Sequence, residues 1–194
     1  MLLLIAGLVL FLGVHSARVF AEDARRRFIA ERGENAWKGL YSLASIVGFV
    51  LIVVGYGQTR GAPVYLWTPP AWLAHVNLVL SAVAFVLVAA AYVPGNRIRV
   101  AVGHPMVLGV KVWAFGHLLA NGELASVVLF GAFLAWAVLD FVAARRRDRV
   151  EGVERVATGG LGSDVATVGI GLVAWIAFAG WLHLWLIGVS PIVA

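Results

Sequence analysis

The sequence predicts an all-α, polytopic transmembrane helix bundle of about six spans, and three observations carry that prediction. Of the 194 residues, 62% are hydrophobic and 13% charged, against about 45–50% and 25% in soluble domains. The apolar residues fall into six stretches, each at or near the roughly 20 residues that a helix needs to cross a bilayer. The basic residues gather in alternate connections between those stretches. Six spans use most of the chain, so residues 1–194 read as one integral membrane domain with the lipid bilayer as its solvent.

In chain order, the first apolar stretch runs from Leu2 to about Phe20 and the second from Ala36 to Tyr56. Small residues spaced as in Ala44-xxx-Gly48 let such helices approach closely. Thr68-Pro69-Pro70 precedes the third stretch, Trp72 to Tyr92, and Pro94-Gly95-Asn96 ends it. His104-Pro105 opens the fourth, Pro105 to Ala120, because proline's fixed φ and missing N–H suit the first helical turn. The fifth runs from Leu124 to Ala144, and Ser163-Asp164 leads into the sixth, Val165 to Val189.

Charge sets the orientation. Arg18, Arg25, Arg26, Arg27, Arg32 and Lys38 lie between spans one and two, Arg97 and Arg99 between three and four, and Arg145, Arg146, Arg147, Arg149 and Arg155 between five and six. The alternate connections hold only Arg60. Short basic loops stay cytoplasmic, so this distribution puts both termini on the outer side. It also accounts for the net charge of +5 without a nucleic-acid partner. A signal peptide cleaved near Val19-Phe20-Ala21 is the competing reading of the first stretch. It lacks a basic leader and would place the first basic loop outside.

Composition excludes several chemistries. With no cysteine there are no disulfides, thiolate nucleophiles or Cys-ligated clusters. No phosphate-cradling glycine loop, nucleophile elbow or zinc-protease helix occurs. Any metal must rest on histidine and carboxylates.

The five histidines are therefore the candidates. His15 lies in the inner third of the first span, His104 at the inner mouth of the fourth, and His117 thirteen residues further on, about 20 Å toward the outer face. His75 and His183 accompany Trp72, Trp181 and Trp185 in an outer aromatic belt, where amphipathic rings are at home. An ionisable group within an apolar helix calls for a functional hypothesis, and a neutral imidazole is a common axial ligand of haem iron. His104 and His117 cannot ligate one metal together, because thirteen helical steps separate them in height and in facing. Lys111 falls mid-span, where a lone ammonium is costly. Asp140, inside the fifth stretch, is its expected partner in an intramembrane pair.

The runs Phe11-Leu-Gly-Val-His15-Ser16, Lys38-Gly-Leu-Tyr-Ser42 and His104-Pro-Met-Val-Leu-Gly-Val-Lys-Val-Trp-Ala-Phe-Gly-His117-Leu-Leu-Ala-Asn121-Gly122 resemble the NnrU membrane-protein family over nearly the whole chain. That family is associated with bacterial denitrification and nitric oxide metabolism, and is similar to plant 15-cis-zeta-carotene isomerase, a haem b membrane enzyme. The resemblance implies a haem b-binding fold in the bacterial inner membrane. It matches the two haem-iron ligands to His15 and His117, with His104 as the other motif histidine. The isomerase's cysteine near the second ligand is Ala114 here. That departure counts against redox-switched ligand exchange, and with it isomerase activity, and leaves haem binding in place. Straight helices put His15 nearer in height to His104, so that pairing stands as the geometric alternative.

Three functions follow as expectations. The first is a haem b membrane protein supporting nitric oxide metabolism, with denitrification enzymes as partners. The second is a haem-dependent cis–trans isomerase of a lipid-soluble polyene, which needs an apolar, lipid-open cleft at the iron. The third is a metal-free accessory protein whose polar groups only join helices.

Overall fold

A computed structural model describes residues 1–192. They are helical apart from short connections and one isolated β-bridge between Tyr65 and Glu123. Four helices are long and apolar enough to cross a membrane: α4 (Glu34–Thr59), α5 (Trp72–Tyr92), α8 (Leu124–Glu151), and Gly160–Ile187. The last comprises α9 (Gly160–Ala177), a π-helical turn over Phe178–Leu182, and α10 (His183–Ile187). Two further apolar helices are shorter, α1 (Leu2–His15) and α7 (Pro105–Ala120). The chain is thus a multi-pass membrane protein.

The sequence expectation of six equal stretches is modified at α1. The apolar run to Phe20 breaks after His15, at Ser16, whose hydroxyl donates to the Leu12 carbonyl at 2.7 Å. The backbone N–H of Ser16 is shared between the Leu12 and Gly13 carbonyls. A short α2 (Ala17–Phe20) then leads into α3 (Glu22–Arg32), so the first basic connection is itself helical. Its order comes from charge pairs: Glu22 Oε1 accepts from Arg25 at 3.2 Å and Arg26 at 3.0 Å. The third and fourth stretches begin and end where Trp72 and Pro105 said they would. α8 overruns the expected Ala144, since Arg145 to Glu151 are good helix formers and only Gly152, at φ 63°, stops it.

The helices pack as a row. α1 lies along α4, α8 borders α1 and α7, α7 packs on α5, and α5 carries α9. α6 (Arg97–Val102) joins the end of α5 to the start of α7. The α1–α4 contact is the closest, built on Gly7, Gly48 and Gly55, at each of which a β-carbon would strike the partner backbone. α8 sits on this pair through a buried cluster of Leu4, Leu8, Ile52 and Ala125, reinforced by the Tyr56 to Ser126 hydroxyl hydrogen bond of 2.9 Å. At one end of the row the loop before α5 pairs with the turn before α8, with Leu66 N–H donating to the Gly122 carbonyl and Leu124 N–H to Val64, both at 2.8 Å. At the other end Asp164 accepts from the backbone and side chain of Arg97, tying α9 to α6.

Candidate functional site

α8 is the ruler against which the histidines can be placed. His15, at the end of α1, meets the edge of Trp136 with ring centroids 6.1 Å apart. His117, on α7, lies against Phe130 at 4.6 Å, six residues or about 9 Å nearer the N-terminus of α8. His104, at the N-terminus of α7, lies toward the C-terminal end of α8, 6.2 Å from Phe141 and bonded to Asp148. His15 is thus intermediate in depth and sits on the α1 side of α8, while the other two sit on the α7 side. The layer between His15 and His117 is aromatic. Phe11 stacks on His15 at 4.2 Å and meets Phe133 at 5.9 Å, and Phe133 meets Trp113, the neighbour of His117, at 5.6 Å. No two histidine rings touch in this arrangement.

The hydrogen bonds divide the three histidines by what they leave free. His15 Nδ1–H donates to the Phe11 carbonyl at 2.6 Å, and His117 Nδ1–H donates to the Trp113 carbonyl at 2.9 Å. A carbonyl can only accept, so each ring is held in the tautomer whose Nε2 carries an uncommitted lone pair. That is the arrangement in which imidazoles ligate metals, the second nitrogen anchored to a carbonyl or carboxylate. His104 differs, because its Nε2 is taken by Asp148 Oδ2 at 2.8 Å. His183 Nδ1 bonds the Val189 carbonyl, and both His183 and His75 lie near the largely exposed Trp72, Trp181 and Trp185 in the chain. Among the described residues no three His, Cys, Asp or Glu side chains converge on a metal position. The available donors are single imidazoles, the kind of ligand haem iron takes.

His15 opens onto a cavity. The space has a volume of about 240 Å³, where α1, α2, α3 and α4 meet. Besides His15 its walls include Arg18, Arg25, Trp37, Lys38, Tyr41 and Ser42. Tyr41 is 5.1 Å from the His15 ring and 6.3 Å from Trp37, over which the Arg25 guanidinium lies at 5.9 Å. The sequence offered Lys38 to Ser42 only as a short motif and read the basic residues as topology. The signal was the spacing: Trp37, Lys38, Tyr41 and Ser42 recur at helical intervals that put them on one face. Outside the spans, burial would raise the Glu22 carboxyl, but Arg26, Arg25 and Arg18 outweigh it and hold the group below the ordinary carboxylate range.

Lys111 and Asp140 are not brought together. Lys111 Nζ lies 4.7 Å from the centroid of Phe141, and no ion pair within 4 Å joins it to Asp140 among the described residues. Asp140 is the residue before Phe141 on α8. One residue along a helix is a turn of about 100°, so Phe141 takes the α7 side and Asp140 the α1–α4 side. The quadrupole of Phe141 then stabilises the ammonium by about 0.5–2 kcal/mol. Phe141→Leu should therefore destabilise the wild-type chain more than the Lys111→Met variant, by about that amount in detergent unfolding. An equal cost in both backgrounds would remove the interaction.

Beyond the apolar part of α8 that ends at Ala144, Asp148 accepts from His104 and from Arg155 at 2.8 Å each. Partial burial would raise the Asp148 carboxyl, but the Arg155 and His104 bonds prevail and lower it from its ordinary 3.8. A depressed carboxyl contributes stability above its ordinary pKa and loses it as pH falls through the depressed value. Asp148→Asn should cost about 1 kcal/mol or less at pH 7. In thermal melts the gap to wild type should close as pH drops below 3.8.

A protein-family model described as NnrU protein matches residues 3–191. No curated protein and no solved structure matches the chain.

Proposed function

Since the chain belongs to the NnrU family, we propose that it is a haem b-binding protein of the bacterial inner membrane that supports nitric oxide metabolism during denitrification. The observation that carries this reading is His15. Its Nδ1 is anchored on the Phe11 carbonyl, its Nε2 is uncommitted, and it lines a cavity. Bound there, haem b would supply an iron centre able to exchange one electron or take a diatomic gas. His117 is the second histidine that could hold the iron, with its Nε2 equally free, though the Phe11, Phe133 and Trp113 layer lies between it and His15. His104 is the weaker candidate, because Asp148 holds its Nε2.

The chain's orientation belongs to the same proposal. α1 and α7 cross together with the four long helices, giving six crossings and both termini outside. The basic segments, and with them the mouth of the His15 cavity, then face the cytoplasm. The polyene isomerase has no comparable support, since the cavity at His15 is bounded by Arg18, Arg25 and Lys38 where an apolar polyene would need an apolar wall.

The test is the optical spectrum of detergent-purified protein, oxidised and then reduced with dithionite, with a pyridine haemochrome to count haem. Sharp reduced bands of a b-type haem at about one per chain are expected. A colourless protein that takes up no added haem would overturn the proposal and leave the accessory role.

A further inference from the structure

The side of α8 that no other helix covers changes character along its length. Val138, Leu139 and Val142 are 41%, 51% and 58% exposed, and Arg145, Arg146 and Arg149, exposed as well, continue the same stripe. At about 100° per residue all six fall within about a third of the helix circumference. The remaining sides of α8 are taken at this end. Phe141 faces His104 and Lys111 on α7, Asp148, the one acid among residues 145–149, is bonded to His104 and Arg155, and Arg147 donates to the Arg18 carbonyl. Among the described residues Arg145, Arg146 and Arg149 enter no ion pair, whereas Arg25, Lys38, Arg97 and Arg155 each have an acid. Depth is the other half of the pattern. α8 has 28 residues, or about 42 Å at ~1.5 Å each, against a hydrocarbon layer of about 30 Å. The helix therefore runs on through the headgroup layer. Arg145 directly follows Ala144, the last of the apolar residues, so the stripe turns cationic where lipid phosphates lie, whichever way the chain is inserted.

We propose that this face of α8 seats an anionic phospholipid, with its acyl chains along Val138, Leu139 and Val142 and its phosphate among Arg145, Arg146 and Arg149. Guanidinium groups suit phosphate because their paired N–H donors match two of its oxygens, and a cluster of cations just beyond a membrane span draws anionic headgroups. Arg145 also reaches across to the turn that opens α7, since a β-carbon at Gly103 would lie 2.9 Å from its Nη1, so a phosphate held there bridges two helices of the row. A soluble acidic partner would use only the cations, and Arg145 and Arg146 lie within one turn of Val142, inside the headgroup layer. A second copy meeting this face about a two-fold axis would set the same three cations against each other, which is unfavourable. An amphiphile with a negative head complements both halves of the stripe. The lipid seat is independent of haem, and stands whether or not the chain holds one.

The test mixes the full chain, in an uncharged detergent, with equal amounts of dioleoyl phosphatidylglycerol and dioleoyl phosphatidylcholine and reads the retained lipid by native mass spectrometry. The wild type should retain phosphatidylglycerol over phosphatidylcholine by about tenfold or more, which three surface cations supply. An excess of glycerol phosphate, the same phosphate without acyl chains, should displace none of it. The triple variant Arg145→Gln, Arg146→Gln, Arg149→Gln should retain the two lipids about equally, with phosphatidylcholine unchanged. Arg26→Gln, Arg27→Gln, Arg32→Gln, which removes the same charge from α3, should keep the wild-type preference. Equal retention of the two lipids by the wild type would overturn the proposal, and so would a preference that survives in the α8 variant or is lost equally in the α3 variant. Displacement by glycerol phosphate would make the ligand a free phosphate, and a dimer mass without lipid would give the face to a second copy. Either result also overturns the lipid seat. The wild-type comparison requires no variant, so a misfolded triple variant would not hide the answer.

Discussion

A His15→Ala chain should insert and fold, and should purify with less than about a tenth of the wild-type haem. The expectation follows from what the ring does. Its Nδ1 spends its proton on the Phe11 carbonyl and its Nε2 faces no protein partner, so folding loses little when the imidazole goes. The stacking on Phe11 at 4.2 Å and the contact with Tyr41 are lost, and these are worth about 1 kcal/mol in all. A metal centre is far more sensitive, since loss of an outer partner alone costs about 10–100-fold in affinity. His183→Ala, at the outer end, should retain full haem, and the two haemochrome values side by side make the test. If His183→Ala lost haem and His15→Ala kept it, the assignment would be reversed. His117→Ala then separates one-histidine from two-histidine ligation. A spectrum that turns high-spin means His117 reaches the iron past the aromatic layer, and an unchanged spectrum means His15 ligates alone.

What could be read from the sequence has a physical pattern. Elements whose ends are set by local chemistry were legible to the residue: Trp72–Tyr92 and Pro105–Ala120 begin and end as expected, because proline and the flanking loop residues act within one turn. The break after His15 was not, because Ser16 can sit inside a helix or, by bonding back to Leu12, end one. The overrun of α8 past Ala144 was hidden by reading arginine as loop punctuation, although arginine is a good helix former. The candidate site was legible in its donors and not in its neighbours. His15, His104 and His117 stand out as ionisable groups among apolar residues, but nothing in their spacing says that Asp148 takes His104, or that Phe141 and not Asp140 faces Lys111. Those outcomes depend on which flank of α8 each neighbour occupies, a property of the helix row. The cations Arg18, Arg25 and Lys38 had been accounted for by topology, which concealed that they share a cavity with His15.

Gly55→Val should be among the most damaging single substitutions outside the cavity, and its effect should reach the haem. A β-carbon at Gly55 would overlap the Leu4 backbone nitrogen and lie 2.7 Å from the Leu3 carbonyl carbon and 2.8 Å from the Leu4 Cα. All three are main-chain atoms, which cannot rotate away as the end of a side chain can, so α1 and α4 must separate. Overpacking of this kind costs about 1–3 kcal/mol even where side chains yield. At the top of that range the melting temperature of a chain this size falls by roughly 6–12 °C. Gly57, two residues further along the same helix, has nothing within 4 Å of its would-be β-carbon, so Gly57→Val should leave the melt nearly unchanged. Both helices bear on the cavity: α1 presents His15, and α4 presents Trp37, Lys38 and Tyr41. Moving α1 off α4 separates the ligand from the aromatic wall and from part of the cationic rim, so the Gly55→Val protein that survives purification should also hold haem more weakly. Melting curves by intrinsic tryptophan fluorescence, with haem content measured on the same samples, test both halves. A Gly55→Val melt no lower than that of Gly57→Val would show that α1 and α4 do not pack this closely, and the cavity between them would have to be drawn differently.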